Sequence, residues 1–213
     1  MQVYDLGLMP YKQAYIFQKE AFLKVKSGIL DHALIFCRHF PVITLGRKIN
    51  PANILVTPEK LQDKGIELCN IERGGDATYH GPGQLTVYPI FNLNYLKKDI
   101  HFYLRYLESV IIDSLFDLGI HAERKEGLTG AWVNERKIAS IGISIKNWIT
   151  FHGFTINIKK DDLENFKLIR PCGMDIKMTS AESVLGMDIE IGRIRETIKR
   201  RIQNDQNSFA GVR

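Results

Sequence analysis

Cysteine is scarce in this chain: three in 213 residues, Cys37, Cys69 and Cys172, far apart and with no Cys-x-x-Cys pair. That spacing excludes a disulfide framework and a clustered zinc site, and it fits a reducing, cytoplasmic setting. No apolar run approaches the ~18 residues a bilayer-spanning helix needs. The N-terminus has no basic, apolar, small-residue leader pattern, so a protein neither exported nor embedded in membrane is expected. Two phosphate-binding signatures are also missing. No glycine loop ends in Lys-Ser/Thr as a P-loop does, and no Gly-x-Gly-x-x-Gly opens a helix. Basic residues outnumber acidic ones only 29 to 24, a net charge of +5. No basic stretch is interleaved with aromatics in the manner of RNA-binding modules, so nucleic acid is not an expected partner.

What the chain does have is a concentration of glycine. Arg73-Gly74-Gly75-Asp76-Ala77-Thr78-Tyr79-His80-Gly81-Pro82-Gly83-Gln84 packs four glycines and a proline around one arginine, one histidine and one threonine hydroxyl. Glycine lets backbone N–H groups approach a ligand closely, and Pro82 stiffens the turn. The residues that follow, Leu85-Thr86-Val87-Tyr88-Pro89-Ile90-Phe91, are β-branched and aromatic. The segment therefore feeds a strand and not a phosphate-binding helix N-terminus. A glycine-rich hairpin with His80 as a hydrogen-bonded turn residue is the alternative reading.

A hydrophobic content of 45% over this length suits one core, so a single domain spanning 1–213 is expected. Pro10, Ala14, Phe17, Ala21 and Val25 up to Gly28 predict an amphipathic helix. Strands are predicted over 32–45, with Cys37 as a core thiol. A short helix capped by Thr57 with Pro58 at its first position leads to a strand over 66–71 that holds Cys69. Asp99 caps a long helix that Gly119 ends. Strand-rich sequence covers 131–158, with a hairpin at Asn134-Glu135-Arg136. Beyond a short acidic helix near Asp161, Thr179-Ser180-Ala181-Glu182 reads as a capping box, and a last helix carries Ile194, Ile198 and Ile202 among basic residues.

Two residues attract chemical attention on weaker grounds. In a regular strand Lys137 would share a face with Ala139, Ile141, Ile143 and Ile145, partly desolvated, although a surface lysine at a strand start is the plainer reading. Cys172 lies between Pro171 and Gly173, outside any periodic run. A thiol with a pKa near ~8.5 is only slightly ionised at neutral pH, so a nucleophilic Cys172 needs a cation or base beside it, and Lys137, His80 and His152 are the available partners.

Taken in order, the motifs Arg73-Gly-Gly-x-x-Thr-x-His-Gly-Pro-Gly-Gln84, Gly130-x-Trp-Val133, Lys137-Ile-Ala139, His152-Gly153 and Pro171-Cys-Gly173 resemble those of the lipoyl(octanoyl) transferases. The resemblance spans essentially the whole chain and weakens only in the basic C-terminal helix. It implies an α+β fold of mixed β-sheets with flanking helices, like the catalytic domain of lipoate and biotin protein ligases. It also implies a reaction: octanoyl passes from octanoyl-acyl carrier protein to Cys172 as a thioester, and then to a lysine of a lipoyl domain, the first step of endogenous lipoate synthesis. No cofactor and no metal would be required, because thioester exchange is nearly isoenergetic and amide formation is downhill.

By the same resemblance Cys172 and Lys137 are the catalytic pair. Two unit charges ~4 Å apart attract by about 4 kcal/mol at an effective dielectric near ~20, enough for a neighbouring ammonium to hold a thiolate. Arg73, Gly74, Gly75, Asp76, Ala77, Thr78, Tyr79 and His80 would bind substrate, together with Ser140, Ile141, Gly142, Gly153, Phe154 and Thr155. Ile141, Phe154 and Tyr79 are expected at the acyl tail, His80 as a wall, and a backbone N–H near Gly173 or in the glycine loop at the oxyanion. The implied partners are octanoyl-acyl carrier protein, the lipoyl domains of 2-oxoacid dehydrogenase complexes and the glycine cleavage H protein, served by a monomer. Arg193, Arg195, Lys199, Arg200 and Arg201 would steer these acidic partners or simply form a solvated helix face. Rival readings are an ATP-dependent lipoate or biotin ligase, an amidotransferase between lipoyl domains, and a hydrolase pairing Cys172 with His152.

Overall fold

Strand β1 (Gln2–Met9) leads through Pro10 into helix α1 (Tyr11–Lys26), and β2 (His32–His39) and β3 (Val42–Leu45) follow. The computed structural model describes residues 1–210, with the side chains of Cys172 and of residues 206–210 outside that description. Helix α2 (Pro58–Asp63) begins where predicted, the Thr57 hydroxyl accepting from the Lys60 N–H. Strands β4 (Glu67–Asn70), β5 (Ala77–His80) and β6 (Gln84–Phe91) come next. Helix α3 (Ile100–Phe116) is capped by Asp99, which accepts from the Phe102 N–H. Then come β7 (Glu123–Lys125), β8 (Leu128–Val133), β9 (Arg136–Lys146) and β10 (Ile149–Asn157), a 3-10 segment (Asp161–Leu168) where a short helix was expected, a 3-10 turn (Pro171–Gly173), and helices α4 (Ala181–Leu185) and α5 (Ile191–Ala210).

Seven strands form one sheet in the order β1-β2-β6-β10-β9-β8-β7, and three form a smaller one in the order β4-β3-β5. Each sheet is mixed: β1 runs parallel to β2, and β3 runs parallel to β4 but antiparallel to β5. Strand β6 is buried along its whole length, and β2 lacks polar alternation over 33–37, because the large sheet is covered on both sides. Leu34, Phe36, Val87 and Phe154 face the core built on α3 and α5, where Ile194, Ile198 and Ile202 are fully buried. Ala33, Ile35, Cys37 and Ile90 face α1 on the other side. The small sheet buries Ile43 and Tyr79 against Leu61 and Phe166. Its opposite face turns Thr44 and His80 toward β10, and the site lies in the gap between the two sheets.

Candidate active site

Lys137 is placed by a β-bulge. Ala131 stands opposite Ala139 but Trp132 opposite Lys137, so Ile138 is an extra residue on β9. A bulge breaks the two-residue alternation and re-aims the side chains before it. Lys137 therefore does not share the face of Ala139 and Ile141, nor is it a surface lysine. It is 5% exposed and lines a cavity with Ser140 and Gly142. Its backbone is held by Lys177 and Thr179, at 2.9 Å each. Its Nζ lies 5.3 Å from the centroid of the Trp132 ring. The stem passes over Gly130 so closely that a Cβ there would sit 2.8 Å from Lys137 Cε, which explains why the position has no side chain.

The Pro171–Gly173 turn closes over the same cavity, with Pro171 in its wall. Arg170 N–H donates to Asn53 O at 2.8 Å, and the Asn53 amide donates to the Asp76 carboxylate, whose other oxygen accepts from the Ala77 N–H at 2.7 Å. These bonds anchor the turn to the glycine segment and β5. Only the backbone of Cys172 is described, so the position of its sulfur lies outside the described residues. Gly173 N–H is engaged by Arg170 O at 3.1 Å, which removes it as an oxyanion donor. In the glycine segment Gly74 N–H is engaged by Ile143 O, whereas Gly75 N–H has no acceptor among the described residues.

Arg73 is buried and spans the two sheets. Its guanidinium donates to Thr44 O at 2.7 Å, to Thr44 Oγ1 at 3.0 Å and to Gly74 O at 3.0 Å. The cavity has about 610 Å³ of empty space when the solvent-open region at its mouth is counted. Of the residues expected to bind substrate, all but one line it: the segment 73–78, His80, and the two strand triplets 140–142 and 153–155, although the side chains of Ile141 and Phe154, expected at the acyl tail, pack against the core on α3 and α5. The exception is Tyr79. Residues 77–80 form strand β5 instead of continuing the loop, so Tyr79 points away, into the core of the small sheet, and donates to Asp162.

Sequence reasoning missed Tyr11, Thr86 and Tyr88, which line the cavity as well. The available clue was that Thr86 and Tyr88 are polar and two apart in an otherwise apolar strand. His80 Nδ1 lies 3.2 Å from Thr155 Oγ1, and His39 Nε2 lies 2.6 Å from the Tyr88 hydroxyl. Burial pushes His80 well below the ordinary imidazole value and His39 down to about 4, so both are neutral near pH 7. His152 adopts φ of 61°, a left-handed conformation costly for a residue with a Cβ, which aims its ring at Tyr11 and Glu72. Burial lowers its pKa too, while His152 and the Tyr15 hydroxyl together hold Glu72 at about 2. Gly153, next to it, lets β10 approach β6: a Cβ would lie 2.1 Å from Val87 O.

Elsewhere four of the five basic residues of α5 are paired with acids, and Arg193 has no ion pair among the described residues. Arg195 pairs with Asp5 and Glu196, Lys199 with Glu196, and Arg200 and Arg201 with Asp117. Their charge is matched locally, which favours the solvated-face reading over long-range steering. Among the described residues no group of three or more His, Cys, Asp or Glu is arranged to hold a metal ion, and no helix is long and apolar enough to cross a membrane.

Two mixed sheets enclosing a cavity between a glycine segment and a buried lysine form a known architecture. Residues 10–203 match the lipoyl protein ligase A/B catalytic domain, and the chain belongs to that family. Its fold is that of a lipoate protein ligase from T. acidophilum solved with bound lipoic acid, at TM-score 0.71 and 17% identity, with 93% of this chain and 83% of that one covered. A biotin protein ligase from Aquifex aeolicus is more distant, at TM-score 0.56 and 10% identity, covering 98% of this chain and 70% of that one. Sequence relatives narrow the assignment. An octanoyltransferase of Syntrophotalea carbinolica is 38% identical over 96% of this chain and 93% of its own length. One from Clostridium kluyveri is 48% identical over 78% of this chain and 71% of its own. Within the family the chain is an octanoyltransferase, an acyltransferase of protein lipoylation.

Proposed function

We propose that octanoyl reaches this enzyme as the thioester of acyl carrier protein, is carried on Cys172, and leaves as an amide on a lysine of a lipoyl domain. The Cys172 thiolate adds to the donor carbonyl, and the tetrahedral intermediate collapses by breaking the bond to the pantetheine sulfur, which takes a proton from the Lys137 ammonium. In the second half, the acceptor lysine amine attacks the Cys172 thioester, Lys137 accepts the amine proton, and the thiolate is regenerated. Gly75 N–H is the donor offered to the oxyanion in both halves.

The observation that carries this reading is the burial of the Lys137 amine in the wall it shares with Pro171, the residue next to Cys172. Acceptors would be the lipoyl domains of 2-oxoacid dehydrogenase complexes and the glycine cleavage H protein, met in the cytoplasm by one monomeric catalytic domain. The test is transfer from octanoyl-acyl carrier protein to a purified lipoyl domain without ATP. An octanoyl amide on the acceptor lysine is expected. Transfer that occurs only with free octanoate and ATP would overturn the reading.

A further inference from the structure

We propose that Glu108 is a positioning residue for the Lys137 amine, an inference that rests on the octanoyl-transfer reading above. Glu108 is 1% exposed, the most deeply buried carboxylate among the described residues. It comes from α3, on the face of the large sheet away from the cavity, and is not part of the cavity lining. Burying a carboxylate is costly unless donors satisfy it, and here they do. Arg105 Nη1 donates to Oε2 at 2.6 Å, and Arg124 Nε donates to the same oxygen at 3.1 Å. The other oxygen, Oε1, accepts from the Gly130 N–H at 3.1 Å.

That last bond replaces one that the sheet does not supply. Glu123 stands opposite Trp132 and Lys125 opposite Leu128, so one residue of β7 faces three of β8 and the register slips around Gly130. A strand N–H left without its ladder partner needs another acceptor, and the Glu108 carboxylate provides it. Arg124, the β7 residue at the slip, is tied to the same carboxylate. Against Gly130 lies the Lys137 stem: a Cβ at 130 would meet Lys137 Cε at 2.8 Å and Nζ at 3.4 Å. Glu108 therefore fixes the piece of backbone on which the lysine rests, and through it the place of the amine.

The test measures kcat and KM for octanoyl-acyl carrier protein, and the pH at which Cys172 is half-maximally reactive with iodoacetamide. Glu108→Gln has one oxygen where the carboxylate has two, too few for both arginines and the Gly130 N–H. Glu108→Asp keeps the charge and draws it back from Gly130 by one methylene, and it serves alone should Glu108→Gln not fold. In either variant kcat is expected to fall about 10- to 100-fold with KM unchanged, the cost of misplacing a reacting group by ~1 Å. The half-reaction pH should rise toward that of Lys137→Ala, because a more distant ammonium holds the thiolate less well. Loss of the Glu108 charge by itself would lower it, so the sign separates repositioning from electrostatics. Arg105→Ala loosens the same carboxylate but leaves the Gly130 bond, and should match the wild type in both measurements. Wild-type values in a folded Glu108 variant, a lowered half-reaction pH, or an equal effect in Arg105→Ala overturns the proposal. A Lys137→Ala profile identical to that of the wild type would instead sink the pairing of Lys137 with Cys172 itself.

Discussion

Lys137 owes its burial to one extra residue in a strand, and nothing in its own neighbourhood announces that residue. Isoleucine at 138 fits a regular strand as well as a bulge, so the alternation of 139–145 assigned Lys137 to the wrong face. The glycine at 130 was visible, but its purpose, room for a lysine stem seven residues later in sequence, required the pairing of β8 with β9. Gly130 has φ of 128°, and a Cβ would lie 2.4 Å from Ala139 O as well as against Lys137. Gly130→Ala is thus expected to cost about 1–3 kcal/mol in denaturant unfolding and to lose most of the transfer rate by displacing the amine. A stable, fully active variant would show that the stem tolerates displacement. The thiols give a second expectation. Burial pushes Cys37 up to about 12 and raises Cys69 as well, so neither ionises at neutral pH. Iodoacetamide should label one thiol per native chain rapidly, and none in Cys172→Ser. A second thiol reacting at the same rate would contradict this.

Among the elements, those marked by caps and breakers were legible. Asp99 and Thr57 each start a helix as expected, because a capping side chain acts within a few residues of itself, and Pro10 precedes one without a side-chain cap, its fixed φ suiting a helix start. The capping box was displaced by one residue: Ser180 is the cap, accepting from the Ser183 N–H, while Glu182 pairs with Lys159. Strand β5 was hidden inside the glycine segment, since a strand of four residues has too little alternation to be seen and is stabilised by β3 far away in sequence. Asp162 fastens the far end of that segment. Its carboxylate accepts from the Gly83 N–H at 2.5 Å and from the Tyr79 hydroxyl at 3.4 Å, and burial raises its pKa. Asp162→Ala leaves both donors without this acceptor and is expected to cost about 1–3 kcal/mol. Hydrogen exchange should show faster opening at 81–84 with β10 unchanged. Uniform protection across the segment would mean that the carboxylate is not what holds it.

At the scale of the molecule, three buried histidines tie stability to pH. His39, His80 and His152 are all lowered by burial, and are neutral in the folded chain where an unfolded imidazole near ~6.5 takes a proton. The unfolded state then binds more protons than the native one, so stability is fully present above ~6.5 and falls as pH drops toward the folded values, about 4 for His39. The urea midpoint should decline steadily over that window, and less steeply in His39→Gln. A midpoint unchanged between pH 7 and pH 5 would refute this.

The α+β class and most of the cavity lining were readable at this scale too, but through five ordered motifs rather than through periodicity. Motifs retain residues that converge only in three dimensions. Tyr11, Thr86 and Tyr88 escaped because they belong to a helix start and a core strand, where sequence pattern reads as packing.

The central claim is that Cys172 carries the acyl group. Intact mass of the protein after incubation with octanoyl-acyl carrier protein, with no acceptor present, tests it most directly. One octanoyl adduct on the wild type, located at Cys172 and absent from Cys172→Ser, is the predicted result. A wild type that transfers octanoyl without ever showing the adduct, or an adduct that persists in Cys172→Ser, would contradict the account.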